Sequence, residues 1–194
     1  MPNWCYSTYR IVGKKKEVQS LYSKMSNLER RRKPLVESDF GNTWLGCLVT
    51  KLGGDRSKVH CRGSWSELEY DGETISFITE TAWGPMNEVF RLVKGIYPSL
   101  DIYYSAEEDM MGYFITNDTE GRFFIDRYKV EANCETEYFT VIEDVYAYVS
   151  RKTGRQIDSR EELAAAIEEW NEGKDDYEEV ICLNEFKVVK DEHL

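Results

Sequence analysis

The hydrophobic pattern of this chain changes period several times, and each change marks an element. Residues 6–12 are rich in aromatic and β-branched types and read as a strand ended by Gly13. Val18, Leu21, Tyr22 and Met25 then recur at i, i+3, i+4 and i+7, which predicts an amphipathic helix. Arg30-Arg31-Arg32-Lys33-Pro34 closes it, because proline lacks the N–H and like charges repel along a helix. Residues from about 30 to 57 mix glycines with short apolar pieces and read as an insertion. One short helix or strand is expected within it, near Trp44 to Val49. Two β-rich runs, 59–70 and 73–79, flank Asp71-Gly72, which predicts a two-residue hairpin turn with positive φ. Ile75, Phe77 and Thr79 share one face of the second run. Gly84-Pro85 begins the next helix, with proline at its first position and Val89, Leu92, Val93 and Ile96 as its stripe. Pro98 stops it, and Leu100, Ile102 and Tyr104 alternate in a further strand.

The order so far is β-α-β-β-α-β. It predicts an α+β protein: a ferredoxin-like split βαβ sandwich, an antiparallel sheet with helices on one face. An extra hairpin is expected from 111–116 and 121–130 around Asn117-Asp118, followed by a helix over 139–152 ending at Gly154. Ser159-Arg160-Glu161-Glu162 is a capping box for a helix that buries Leu163, Ile167 and Trp170. Val180, Cys182, Asn184, Phe186 and Val188 alternate in a last strand. The expected division is a ferredoxin-like domain over 1–130 and a C-terminal α-α-β extension over 131–194, packed on the first domain.

Composition adds limits. With 194 residues, 41% of them hydrophobic, the chain can bury a substantial core. No apolar run approaches the roughly 20 residues of a membrane helix. No signal peptide is apparent, so a cytoplasmic location and no membrane partner are expected. The five cysteines form no C-x-x-C pair, which argues against zinc or iron–sulfur ligation and for reduced, mostly buried thiols. No metal and no cofactor is assigned. The net charge of −11 is uneven: residues 1–66 carry 13 Lys+Arg against 5 Asp+Glu, whereas the remainder balances at −19.

Several words together resemble the YubB-like family of bacterial and mobile-element proteins. They are Met1-Pro2-Asn3-Trp4-Cys5, Asn42-Thr43-Trp44, the stretch from Phe77 through Trp83-Gly84-Pro85, Tyr97-Pro98 and Gly112-Tyr113-Phe114. Gly84 and Tyr6 depart from that family's pattern. The resemblance covers roughly residues 1–130 and implies a ferredoxin-like-fold domain. It implies no activity.

The candidate chemistry is sparse. Trp83-Gly84-Pro85 sits at a strand-to-helix corner, where free N–H groups of a helix start can meet an anion. A ligand pocket or an enzyme site is therefore sought near Trp44, Trp65 and Trp83, with Gly84 and Pro85 beside it. Arg30, Arg31, Arg32 and Lys33 are the candidate contacts for nucleic acid, with Gly121-Arg122-Phe123-Phe124-Ile125 as a possible aromatic strand. The acidic remainder of the chain opposes that use. Glu107-Glu108-Asp109, Glu168-Glu169 and Asp175-Asp176 read as solvated acids. His60-Cys61 is the one His–Cys pairing, and His193 lies near the end of the chain. No catalytic residue is assigned. The expected function is a non-catalytic protein-interaction or binding module whose acidic surface meets a basic or DNA-binding protein. The two signs of charge also suit homo-oligomer formation.

Overall fold

Trp4–Val12 (β1) buries Cys5, Ser7, Tyr9 and Ile11 along one face and turns Tyr6 outward. Around it, a computed structural model describes residues 2–133, 135–174, 180–189 and 194. Helix α1, Lys15–Glu29, follows Gly13 and buries Val18, Leu21 and Met25, as the periodicity predicts. Within the insertion, a 3₁₀ turn at Gly41–Thr43 leads into a short helix α2, Leu45–Lys51, whose Leu45, Cys47, Leu48 and Val49 are all buried. Strands β2, Gly63–Tyr70, and β3, Ile75–Ala82, form a hairpin. Then come α3, Asn87–Ile96, β4, Asp101–Glu108, and β5, Tyr113–Thr116.

One sheet has the order β2-β3-β1-β4-β5 and is completed by a short β9, Lys187–Val188. The pairs β2–β3, β3–β1, β1–β4 and β4–β5 are antiparallel. Tyr9 lies at the centre of the core. Its ring stacks on Phe77 at 5.1 Å, with Phe90 at 4.2 Å and Tyr104 at 5.7 Å, and its hydroxyl donates to Asn87 Oδ1 at 3.3 Å. Burying each such side chain contributes about 1.5–3 kcal/mol.

Four local expectations are corrected. The β2–β3 loop is four residues long, because Tyr70 pairs with Ile75. Only Gly72 of the Asp71-Gly72 pair has positive φ, and the Asp71 carboxylate instead accepts from the N–H groups of Glu73 and Thr74. Helix α3 begins at Asn87 rather than at Pro85, and its buried stripe includes Phe90, whereas Ile96, expected in it, is 41% exposed. The hairpin around Asn117-Asp118 does not form. β5 pairs back onto β4, residues 121–127 are irregular, and the next strand, β6, Tyr128–Ala132, belongs to another sheet. Asn117 explains the stop: its side chain accepts from Tyr104 N–H and donates to Ile102 O, replacing further ladder bonds.

The chain divides into two units, Met1–Thr119 with Val188–Leu194, and Glu120–Lys187. The expected boundary near 130 compares with this division after Thr119. The second unit pairs β6 antiparallel with β7, Glu135–Phe139, and with β8, Ile181–Glu185. Helices α4, Ile142–Thr153, and α5, Arg160–Asn171, pack with that sheet around Val130, Val145, Val149, Leu163 and Ile181. Gly154 ends α4 in the left-handed conformation with φ 73°. Ser159 caps α5 by accepting from Glu162 N–H, whereas the Glu162 carboxylate accepts from Asp158 N–H and not from Ser159. The alternation expected over 180–188 is broken at Phe186, between β8 and β9. Cys134, Asp175-Asp176 and His193 lie outside the described residues. Among the described residues, no helix is long and apolar enough to cross a membrane.

Candidate functional site

The segment joining α2 to β2 carries Arg56, Lys58, His60 and Arg62 at every second position. Residues 56–58 form a turn, closed by Lys58 N–H donating to Asp55 O at 3.0 Å, so strand alternation does not set the direction of these side chains. All four are exposed, as is Ser57, while Cys61 is buried and Val59 is half-buried. Together with Phe40, Trp44 and Ser57 these residues line a cleft of roughly 270 Å³.

Each wall is held by identifiable bonds. The Trp44 indole N–H donates to Cys61 O at 2.8 Å, and Trp44 bridges to Ser64 at the start of β2. Gly46 leaves room for the ring: a Cβ there would lie 2.5 Å from two of its carbons. Arg56 places its guanidinium carbon 5.4 Å from the Trp44 ring, within cation–π range. The segment's bend is set by Asp55, whose carboxylate accepts from Ser57 N–H and Oγ at 2.9 and 2.7 Å. Those bonds, led by the hydroxyl, hold the Asp55 carboxyl below its usual range. His60 ties the segment to α3. Its backbone N–H donates to Glu88 Oε2 at 2.8 Å, and its Nδ1 lies 3.0 Å from Oε1. The backbone bond, with the imidazole behind it, holds the Glu88 carboxyl below its ordinary value. Burial pushes the Cys61 thiol up, so it stays protonated and is a poor nucleophile.

Trp83 does not line this cleft but lies against Arg62, which does. The Arg62 carbonyl accepts from Ala82 N–H at 3.1 Å, and its guanidinium carbon lies 5.1 Å from the Trp83 ring. Trp83 has φ 65°, a region that non-glycine residues rarely occupy. Its N–H donates to Asn3 O at 2.8 Å, which fixes the corner. The side chain is 52% exposed although Arg62 covers part of it. Trp4, paired with Ala82, sets its ring edge-on to Phe40 at 6.2 Å, so the opening motif and the Trp83 motif do meet at one end of the sheet.

The other candidates go elsewhere. Trp65 is 2% exposed and donates its indole N–H to Glu29 Oε1 at 3.0 Å; it is core, not a pocket wall. Gly84 and Pro85 form the corner before α3. The Gly84 carbonyl accepts from Thr81 Oγ1 and the Pro85 carbonyl from Asn87 N–H. The first turn of α3 already carries the carboxylate of Glu88, which weakens it as an anion site. Arg30, Arg31, Arg32 and Lys33 are exposed past the end of α1 and do not line the cleft. Asn42 holds that turn by donating to the carbonyls of Glu29 and Arg31. Residues 121–125 are irregular and lie in the second unit. Glu108 is not solvated. It is 2% exposed and its carboxylate accepts from Met110 and Met111 N–H at 3.1 and 2.7 Å. Among the described residues, no group of three or more His, Cys, Asp or Glu is placed to hold a metal ion.

Arg56, Lys58, His60, Arg62 and Phe40 were not among the expected site residues. The signal that could have found the first four was the density of basic residues over 56–62. No protein-family profile, curated protein or solved structure matches this chain.

Proposed function

We propose that this chain is a non-catalytic binding module and that the cleft between Trp44 and Arg62 receives an anionic group of its ligand. One observation carries this reading: Arg56, Lys58 and Arg62 line one cleft together with the rings of Phe40 and Trp44. Of the nearby acids, Asp55 accepts from Ser57 and Glu88 from His60. Guanidinium groups suit planar oxyanions, and an aromatic wall lowers the local dielectric in which they act. The first unit is proposed to be a ferredoxin-like sandwich of the YubB-like kind, on the support of its strand order β2-β3-β1-β4 and its element sequence.

The test uses inorganic pyrophosphate as probe and the backbone NMR signals of residues 55–62 as readout. Shifts confined to that segment at low salt, lost with R56E/R62E and weakened by added salt, are the expected result. Absence of any shift at millimolar pyrophosphate would remove the cleft from consideration.

A second reading concerns the other unit. Residues 120–187 hold 9 Lys+Arg against 18 Asp+Glu, a balance of −9, while the rest of the chain balances at −2. Glu161, Glu162, Glu168, Glu169 and Glu172 are exposed on or just beyond α5. This supports an acidic surface for a basic or DNA-binding protein. A pull-down that returns no such protein at low salt sinks it.

A further inference from the structure

Resting on the cleft reading above, we infer that the ligand is a nucleotide, whose phosphate enters the cleft while its base stacks on Trp83. The geometry joins two features that serve one ligand. Cations without a ring would suit any anion, and an exposed Trp alone would suit any apolar surface. Here Arg62 belongs to both: it lines the cleft and lies against the indole. A phosphate taken by Arg62 at the cleft is therefore within that side chain's reach of a presented aromatic face. Lys58 also has only a 3.9 Å pairing with Asp55, which a phosphate can displace.

The presentation of Trp83 is itself built. The residue pairs a costly left-handed backbone with a half-exposed indole, and Asn3 fixes the peptide. The fixed peptide and the Arg62 contact restrain the residue before a base arrives, which lowers the entropy that stacking costs. Bases of every kind have a π-face, and stacking on an aromatic side chain is tolerant of sequence. The cleft is small for a whole dinucleotide but suits one phosphate group, with the base lying outside it on the indole. The shared chemistry is a nucleoside phosphate, whether free or part of a single strand.

Titrations with adenosine 5′-monophosphate, adenosine, inorganic pyrophosphate and a short oligothymidylate test this, read by the Trp83 indole N–H signal and by tryptophan fluorescence. The monophosphate is expected to bind about tenfold more tightly than adenosine or pyrophosphate, matching the worth of one stacked base. W83A should erase that preference and keep pyrophosphate binding, which also shows that the variant is folded. R56E/R62E should lose both. Equal affinity for pyrophosphate and the monophosphate overturns the nucleotide inference while leaving the anion cleft standing. No binding by any of the four probes overturns both. Tighter binding of the oligothymidylate than of the monophosphate assigns the nucleotide to a strand, and the reverse assigns it to a free nucleotide; either supports the inference.

Discussion

Trp65 lies in β2 and Trp83 just past the end of its partner β3, yet one builds the core and the other is left in water. Trp65 sits in β2 opposite Thr79, points to the helical side and gives its indole N–H to Glu29 on α1. Trp83 follows the last residue of β3, where the strand has turned into the left-handed corner. Inside a strand, alternation decides the face, so Trp65 had only one buried option. Beyond the strand, alternation no longer applies, and the backbone twist at Trp83 carries the ring outward. The same side chain is thus structural or available according to which side of a strand end it falls.

The largest expected effect separates the two. W65A should cost about 3–5 kcal/mol, because it leaves a large cavity and removes the N–H bonded to Glu29. Urea unfolding followed by circular dichroism measures it. W83G should shift stability by less than about 1 kcal/mol, because glycine relieves the left-handed φ while losing an exposed cation–π contact. A cost for W83G near that of W65A would show that the Trp83 ring is packed, and the contrast would collapse.

An intermediate effect probes how the cleft wall is made. G46A should cost about 1–3 kcal/mol through overpacking against the Trp44 ring, partly offset by alanine's helix preference within α2. The indole bond to Cys61 should break with it, seen as a shifted Trp44 N–H signal. An unchanged signal would mean that the ring yields without losing its place, and that Gly46 is there for another reason.

Much of the frame was legible because it rests on period. The stripe of α1, the buried alternation of β4 and the Gly154 stop all follow from side-chain direction and φ preference. The misreadings have physical causes. Asp71-Gly72 looks like a primed turn, but Asp71 uses its side chain to cap backbone N–H groups and so keeps its own φ negative. Asn117 ends β5 by occupying the partners a longer strand would need. Trp65 entered the pocket hypothesis because a composition of tryptophans says nothing of facing. The cleft itself was half visible. The cluster of basic residues over 56–62 was there to be read, whereas the contact of Arg62 with Trp83 depends on Arg62 lying opposite Ala82 across the hairpin, which no local pattern encodes.

The smallest effect sharpens the buried side of the comparison. Burial raises the Glu29 carboxyl above its ordinary value, against the opposing pull of the Trp65 N–H and Arg30. The folded state therefore binds this proton more tightly than the unfolded chain does. Its contribution to stability is full below the ordinary carboxyl range and is lost as pH rises through the raised folded value. E29Q keeps an oxygen for the Trp65 indole and carries no charge, so it should be at least as stable as the native chain at neutral pH. The gap between them should narrow as the pH falls through the carboxyl range. Paired unfolding curves from neutral pH down through that range measure it. A gap that moves the other way on acidification would mean that the ionised carboxylate, bonded to Trp65, is the preferred form, and that Trp65 is held by charge as much as by burial.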